Sequence, residues 1–103
     1  MAFGLTKEEL NNWKKQVHAN KIAIITHYWR DDRFPEATSV TKIGCANLDK
    51  LIKWGKKHGL KAEWIDYKEN YPHFDVFGKE QVEILIDEKK FDQIKKFNLK
   101  THN

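Results

Sequence analysis

The chain has 103 residues, 40% of them hydrophobic, with four Trp, three Tyr and six Phe. That length fits one domain spanning 1–103, and the apolar content is ample for one core, which excludes a disordered chain. Nineteen basic residues interleave with 15 acidic ones to give a formal charge of +4; this favours anionic partners, but the excess is too small to mark a nucleic-acid groove.

The single cysteine, Cys45, rules out a disulfide within the chain and a multi-cysteine zinc site. It fits a reducing compartment. Between Gly44 and Ala46 it reads as a small buried hydrophobe ahead of a helix. No apolar run approaches the roughly 20 residues of a membrane span. Met1 to Thr6 carries no basic and then apolar secretion signal. The expectation is a cytoplasmic protein with no membrane partner.

Thr6-Lys7-Glu8-Glu9 is a capping box, with Leu5 and Leu10 at the positions of a hydrophobic staple. Leu10, Trp13 and Val17 recur at helical spacing, which predicts a helix over 6–19 closing at Asn20. Lys21 to Tyr28 is β-branched and apolar on both faces, the pattern of a central strand covered on both sides. The sheet is expected to form around it. Trp29 to Thr38 is polar and aperiodic, and leaves the carboxyl end of that strand, where α/β sheets hold ligands. Arg30 and Arg33 are candidate clamps for phosphate or carboxylate. The competing reading pairs them with Asp31, Asp32 and Glu36 on a solvated loop.

Ser39 to Gly44 reads as a short extended segment. Asn47 caps a second helix with Leu48, Leu51 and Ile52 inward, and Gly55 permits close approach to the sheet. Lys56, Lys57 and His58 complement its last turn, and Gly59 takes the left-handed position beyond it with Leu60 in contact. Lys61 to Tyr67 alternates as a strand would, giving a right-handed parallel crossover. After a turn over 69–72, His73 to Phe77 is extended, and Gly78-Lys79 turns it toward a further strand, Gln81 to Ile86. Asp87 caps a final helix that points Phe91, Ile94 and Phe97 inward, and 100–103 fray. The fold class is α/β: a small single domain, order α-β-α-β-β-β-α, with a central mixed sheet of three to four strands flanked by helices.

The stretch from Trp64 to Phe77 is the least generic part, with five aromatics and a histidine two places from an aspartate. A small-ligand pocket has mostly apolar walls and a few orienting polar groups, which is what this stretch offers. The block Ala46-Asn47-Leu48-Asp49-Lys50-Leu51, with Trp54-Gly55, His58-Gly59-Leu60, Trp64 and His73-Phe74-Asp75, resembles a family of short bacterial and phage proteins carried as a domain of unknown function. The resemblance covers 46–75. It implies that Trp64, His73 and Asp75 are positions of interest and that the source is phage or bacterial. This chain departs from the family in having no His from Phe34 to Lys57, and it ends in a strand and helix rather than an Ala-rich helix.

His73 and Asp75, two apart on a strand, share a face, and His27 or Asp31 would complete a carboxylate–imidazole metal set. No His-Glu-x-x-His spacing supports one, so no metal or other cofactor is expected. Ser39 is the only serine and has no nucleophile elbow, and the five glycines are isolated, so no phosphate loop is present. The reading is a protein that binds a small anionic ligand, a nucleotide for preference, without catalysis, such as a sponge for a host signalling nucleotide. The ligand-binding residues are His27, Trp29, Arg30, Arg33, Lys42, Trp64, Tyr71, His73 and Asp75. Arg30, Arg33 and Lys42 meet phosphate, Trp29 and Tyr71 stack, and His73 with Asp75 reads a polar edge. Two alternatives stay open: a nucleotide- or nucleic-acid-processing hydrolase using His73 and Asp75, and a single-stranded nucleic-acid-binding module. A homo-oligomer with the pocket between subunits is also compatible.

Overall fold

The computed structural model describes residues 4–99, and the expectation for 100–103 lies outside them. Helix α1, Lys7–His18, starts on the capping box: Glu9 N donates to Thr6 Oγ1 at 3.0 Å and Thr6 N to Glu9 Oε1 at 3.1 Å. Asn20, with φ at 61°, turns the chain away from it. Strands β1, Ala23–Tyr28, and β2, Ser39–Gly44, run antiparallel, from Ala23 opposite Gly44 to Tyr28 opposite Ser39. Strand β3, His73–Val76, lies antiparallel on the other side of β2, with Lys42 opposite Asp75 and Gly44 opposite His73.

Helix α2, Leu48–Lys57, fills the connection from β2 toward β3, capped by Asn47 Oδ1, which accepts from Lys50 N. It closes as expected, with Gly59 at φ 77° and Leu60 N donating to Gly55 O at 2.8 Å. Helices α3, Gly78–Asp87, and α4, Phe91–Lys96, complete the described chain. The result is a mixed α/β single domain with a three-stranded sheet flanked by helices.

The two faces of the sheet have different fates, and period-two alternation decides which residues meet each. Ile43, Phe74 and Val76 face Leu51, Leu60, Ile65 and Ile84 in the main core. Ala23 and Ile25 face Trp13 and Val17 of α1 in a second, smaller cluster. Gly44 lets α1 sit flat there, because a Cβ at that position would stand 2.7 Å from Trp13 Cζ2. That helix covers only one corner of its face, and the rest carries His27, Lys42, His73 and Asp75.

Several sequence expectations need correction. The apolar run 21–28 is an edge strand, and β2 is central. Its double-sided burial comes from helices, and side chains bind its backbone as well: Gln93 Nε2 donates to Ile24 O on the outer edge, and Trp13 Nε1, packed on the face, donates to Ala23 O. Lys61 to Tyr67 is not a strand but a 3-10 turn, Ala62–Trp64, followed by an isolated bridge at Asp66. With no strand there, the parallel crossover disappears and both pairings are antiparallel, so the sheet is not mixed. Gln81 to Ile86 is helical, because Gln81, Ile84 and Leu85 point inward together at helical spacing. Asp87 therefore ends α3 rather than capping α4, and Phe91 is exposed while Ile94 and Phe97 are buried. The observed order is α-β-β-α-β-α-α, with two 3-10 turns before β3.

Candidate functional site

The uncovered part of the α1 face is a hollow of about 610 Å³ between α1, the sheet and the 66–71 segment. His27, Trp29, Lys42, Tyr71, His73 and Asp75 all line it. Strand register supplies four of them: His27 on β1, Lys42 on β2, and His73 and Asp75 on β3 point to one side. Trp29 follows β1 and packs in a cluster of three rings, with centroids 5.4 Å from Phe77 and 6.3 Å from Phe34, which are themselves 4.7 Å apart. Tyr71 is placed by the proline after it, which keeps its backbone extended (φ −120°, ψ 81°).

The segment carrying Tyr71 is tied down at both ends. Asp66 N donates to His73 O at 2.8 Å and His73 N to Asp66 O at 2.9 Å. Between them Lys68 N donates to Asp66 Oδ1 at 2.9 Å, which turns the chain into its second 3-10 turn, Lys68–Asn70. Asp66 and Lys68 thereby join the wall of the hollow, and Lys14 and Trp13 enter it from α1.

Both histidines are fixed in one tautomer. A carbonyl only accepts, so His73 Nδ1 carries a proton for Tyr71 O at 2.6 Å, and His27 Nδ1 carries one for Tyr28 O at 2.9 Å. Each ring keeps Nε2 for something else. His73 Nε2 stands 3.3 Å from Asp75 Oδ2, whereas His27 Nε2 is buried with no partner among the described residues. Their acidities move apart. Burial lowers the pKa of His27, outweighing its bond to Tyr28 O. Burial acts the same way on His73, but the Asp75 carboxylate and the Tyr71 carbonyl together outweigh it and raise its pKa.

Three lysines, Lys14, Lys42 and Lys68, face two aspartates, Asp66 and Asp75, across this space. With neutral imidazoles the balance is one positive charge. Lys14 Nζ lies 5.4 Å over the Tyr71 ring, so charge and a planar face occur together. The arrangement offers cations for an anionic group, aromatic faces for a flat one, and fixed nitrogens for a polar edge.

This chain is 54% identical over 99 residues to the uncharacterized protein YneQ of Bacillus subtilis (strain 168), a match spanning 96% of this chain and all of that protein. The chain belongs to the YneQ family. No family model matches it, and no solved structure does.

Three of the residues singled out from sequence lie elsewhere in this YneQ-family chain. Arg33 is 76% exposed and bound to Asp31, its Nη2 2.6 Å from Asp31 Oδ2. That bond and the Arg33 backbone amide hold the Asp31 pKa down to about 2. Arg33 borders a second, broader groove of about 1460 Å³ between the 33–39 loop and α3, and Arg30 is exposed and lines neither space. Trp64 is 54% exposed, with Lys61 Nζ 5.7 Å over its ring, because the 3-10 turn sends Ile65 inward in its place. Sequence reasoning missed Lys14, Asp66 and Lys68. Lys14 was legible only as the residue four after Leu10, on the same side of α1.

Proposed function

We propose that this protein binds a small anionic ligand with a planar ring, of the nucleotide class, in the hollow between α1 and the sheet, and holds it without turning it over. The observation that carries the reading is the convergence of Lys14, Lys42 and Lys68 with the rings of Trp29 and Tyr71 in one concave space. Lysines attract the phosphate as point charges. A base stacked on an aromatic face contributes about 1–3 kcal/mol. His27 Nε2, a lone pair with no partner among the described residues, accepts from an exocyclic amine or a hydroxyl of the ligand. In this reading the lysines take the phosphate role first assigned to Arg30 and Arg33. A protein of this kind acts by occupancy, withdrawing a signalling nucleotide as a sponge does.

The test is incubation with a panel of mono-, di- and cyclic nucleotides, followed by native mass spectrometry of the complex and analysis of the released ligand. Retention of one class, returned intact, is the expected result. An altered ligand would replace binding by catalysis at His73 and Asp75, and no retention of any nucleotide would remove the proposal.

A further inference from the structure

Three ligand-type side chains meet on one wall of the hollow. A ring nitrogen of His73 and carboxylate oxygens of Asp66 and Asp75 lie within 4.8 Å of one another. Two features of the backbone bring this about. His73 and Asp75 are two apart on β3 and share a face, and the two-way bridge sets Asp66 opposite His73. The nitrogen left for a ligand is Nε2, because Nδ1–H is committed to the Tyr71 carbonyl at 2.6 Å. That is how metal-binding imidazoles are usually held, with the other N–H anchored on a backbone carbonyl or a carboxylate. Trp13 stands edge-on to the His73 ring with centroids 6.2 Å apart, which fixes its plane.

A second observation comes from another strand. His27 is 6% exposed, lines the same hollow, and is anchored on a carbonyl through Nδ1 in the same way. Its Nε2 has no partner among the described residues. A buried acceptor left unmatched carries a desolvation cost. An occupant of the hollow would remove that cost.

The geometry points to a divalent transition-metal site formed by Asp66, His73 and Asp75. One imidazole nitrogen with two carboxylate oxygens suits Zn²⁺ or Mn²⁺, whereas Ca²⁺ takes about 6–8 oxygen ligands. Three protein ligands leave coordination positions open toward the hollow. Lys68 Nζ, 3.9 Å from Asp66 Oδ2, is the nearest competing cation, and at 85% exposure its side chain is free to turn into solvent. The inference goes beyond nucleotide binding and does not need it, since the three ligands are assembled by the strand and the bridge alone.

The experiment is calorimetric titration of the full chain, stripped of metal by chelator, with ZnCl₂ and separately with MnCl₂, no nucleotide being present. One ion per chain at micromolar concentration is expected for at least one of the two. Asp66→Asn and Asp75→Asn should each weaken it by about tenfold or more. Both carboxylates are partly exposed, so circular dichroism should report intact folds for these variants. In ¹⁵N spectra taken with Zn²⁺, His73 Nε2 should shift while Nδ1 stays protonated. Failure of both ions to saturate below a millimolar overturns the site. So does binding unchanged in both variants, which would move the ion to another cluster such as His58 with Asp87 and Glu88. Loss of the nucleotide reading would leave a positive result standing.

Discussion

Asp66 and His73 exchange both backbone hydrogen bonds, at 2.8 and 2.9 Å, and so close residues 67–72 into a loop on the edge of the hollow. The loop closes through Asn70, whose φ is 62°. Side chains with a Cβ enter that region at a cost of roughly 1–2 kcal/mol, which asparagine offsets in part and glycine avoids. Asn70→Gly should therefore leave the urea midpoint nearly unchanged, while Asn70→Val lowers stability by about 1–2 kcal/mol. Equal stabilities for the two variants would show that the loop is free to relax.

Gly55 of α2 and Phe74 of β3 approach closely in the main core. A Cβ on Gly55 would stand 2.5 Å from Phe74 Cζ, and Phe74 is a buried ring, 1% exposed. Gly55→Ala gains helix propensity but should still destabilise by about 1–3 kcal/mol through overpacking. Denaturant unfolding measures it. A stabilised variant would mean that α2 slides on the sheet.

Much of this was legible in the sequence because local rules settle it. The Thr6 cap, the Asn47 cap and the Gly59 terminus all depend on neighbours within one or two turns. The shared face of His73 and Asp75 follows from strand period alone. The segment 81–86 was misread because its residues satisfy both periods: Val82, Ile84 and Ile86 alternate, while Gln81, Ile84 and Leu85 recur at helical spacing. A long-range contact decides between them. Gln81 Nε2 donates to Ser39 Oγ and Thr41 Oγ1 of the central strand, which no local pattern reveals. Lys14 and Asp66 were missed for the same reason, since their neighbours across the hollow are distant in sequence.

That contact begins a buried chain of hydrogen bonds with one direction. Gln81 Nε2 donates to Thr41 Oγ1 at 3.0 Å, and Thr26 donates to Gln93 Oε1 at 2.7 Å. The Thr26 proton being so used, Thr41 donates to Thr26 Oγ1 at 2.7 Å. Gln93 Nε2 ends the chain on Ile24 O. Thr26→Val keeps the shape but leaves Thr41 without an acceptor and Gln93 Oε1 without a donor. A loss of about 1–3 kcal/mol per unmatched group is expected. Thr26→Val with Thr41→Val should cost less than the sum of the two single changes, and additivity in that cycle would refute the chain.

The positions of the lysines and arginines give a clean contrast in ligand binding. Lys42 stands between Ile25 and Asp75 inside the hollow, whereas Arg30 and Arg33 lie outside it. Lys42→Met should weaken nucleotide binding by about tenfold or more, as loss of a charge-assisted contact does. Arg30→Ala with Arg33→Ala should leave affinity within about twofold at moderate salt, where exposed charges are screened beyond roughly 10 Å. Isothermal titration with the retained nucleotide reads both, and the reverse order of effects would return the phosphate to the 29–38 loop.

His27 gives the fold a dependence on pH whose sign is fixed by burial. Its pKa falls below the ordinary 6.5 in the folded state, first because burial disfavours the charged ring and then because Lys42 is nearby, against the opposing pull of Asp75 and the Tyr28 carbonyl. Above pH 6.5 the ring is neutral in both states and carries no penalty. As pH drops below that value the unfolded chain binds the proton first, so stability falls until the folded ring also protonates. His27→Gln removes the proton uptake while keeping a polar side chain. The difference in unfolding free energy between parent and variant should therefore be flat from pH 7 to 8 and turn against the parent toward pH 5. A difference independent of pH across that range would mean that the ring at position 27 is solvated and that the hollow does not withhold water from it.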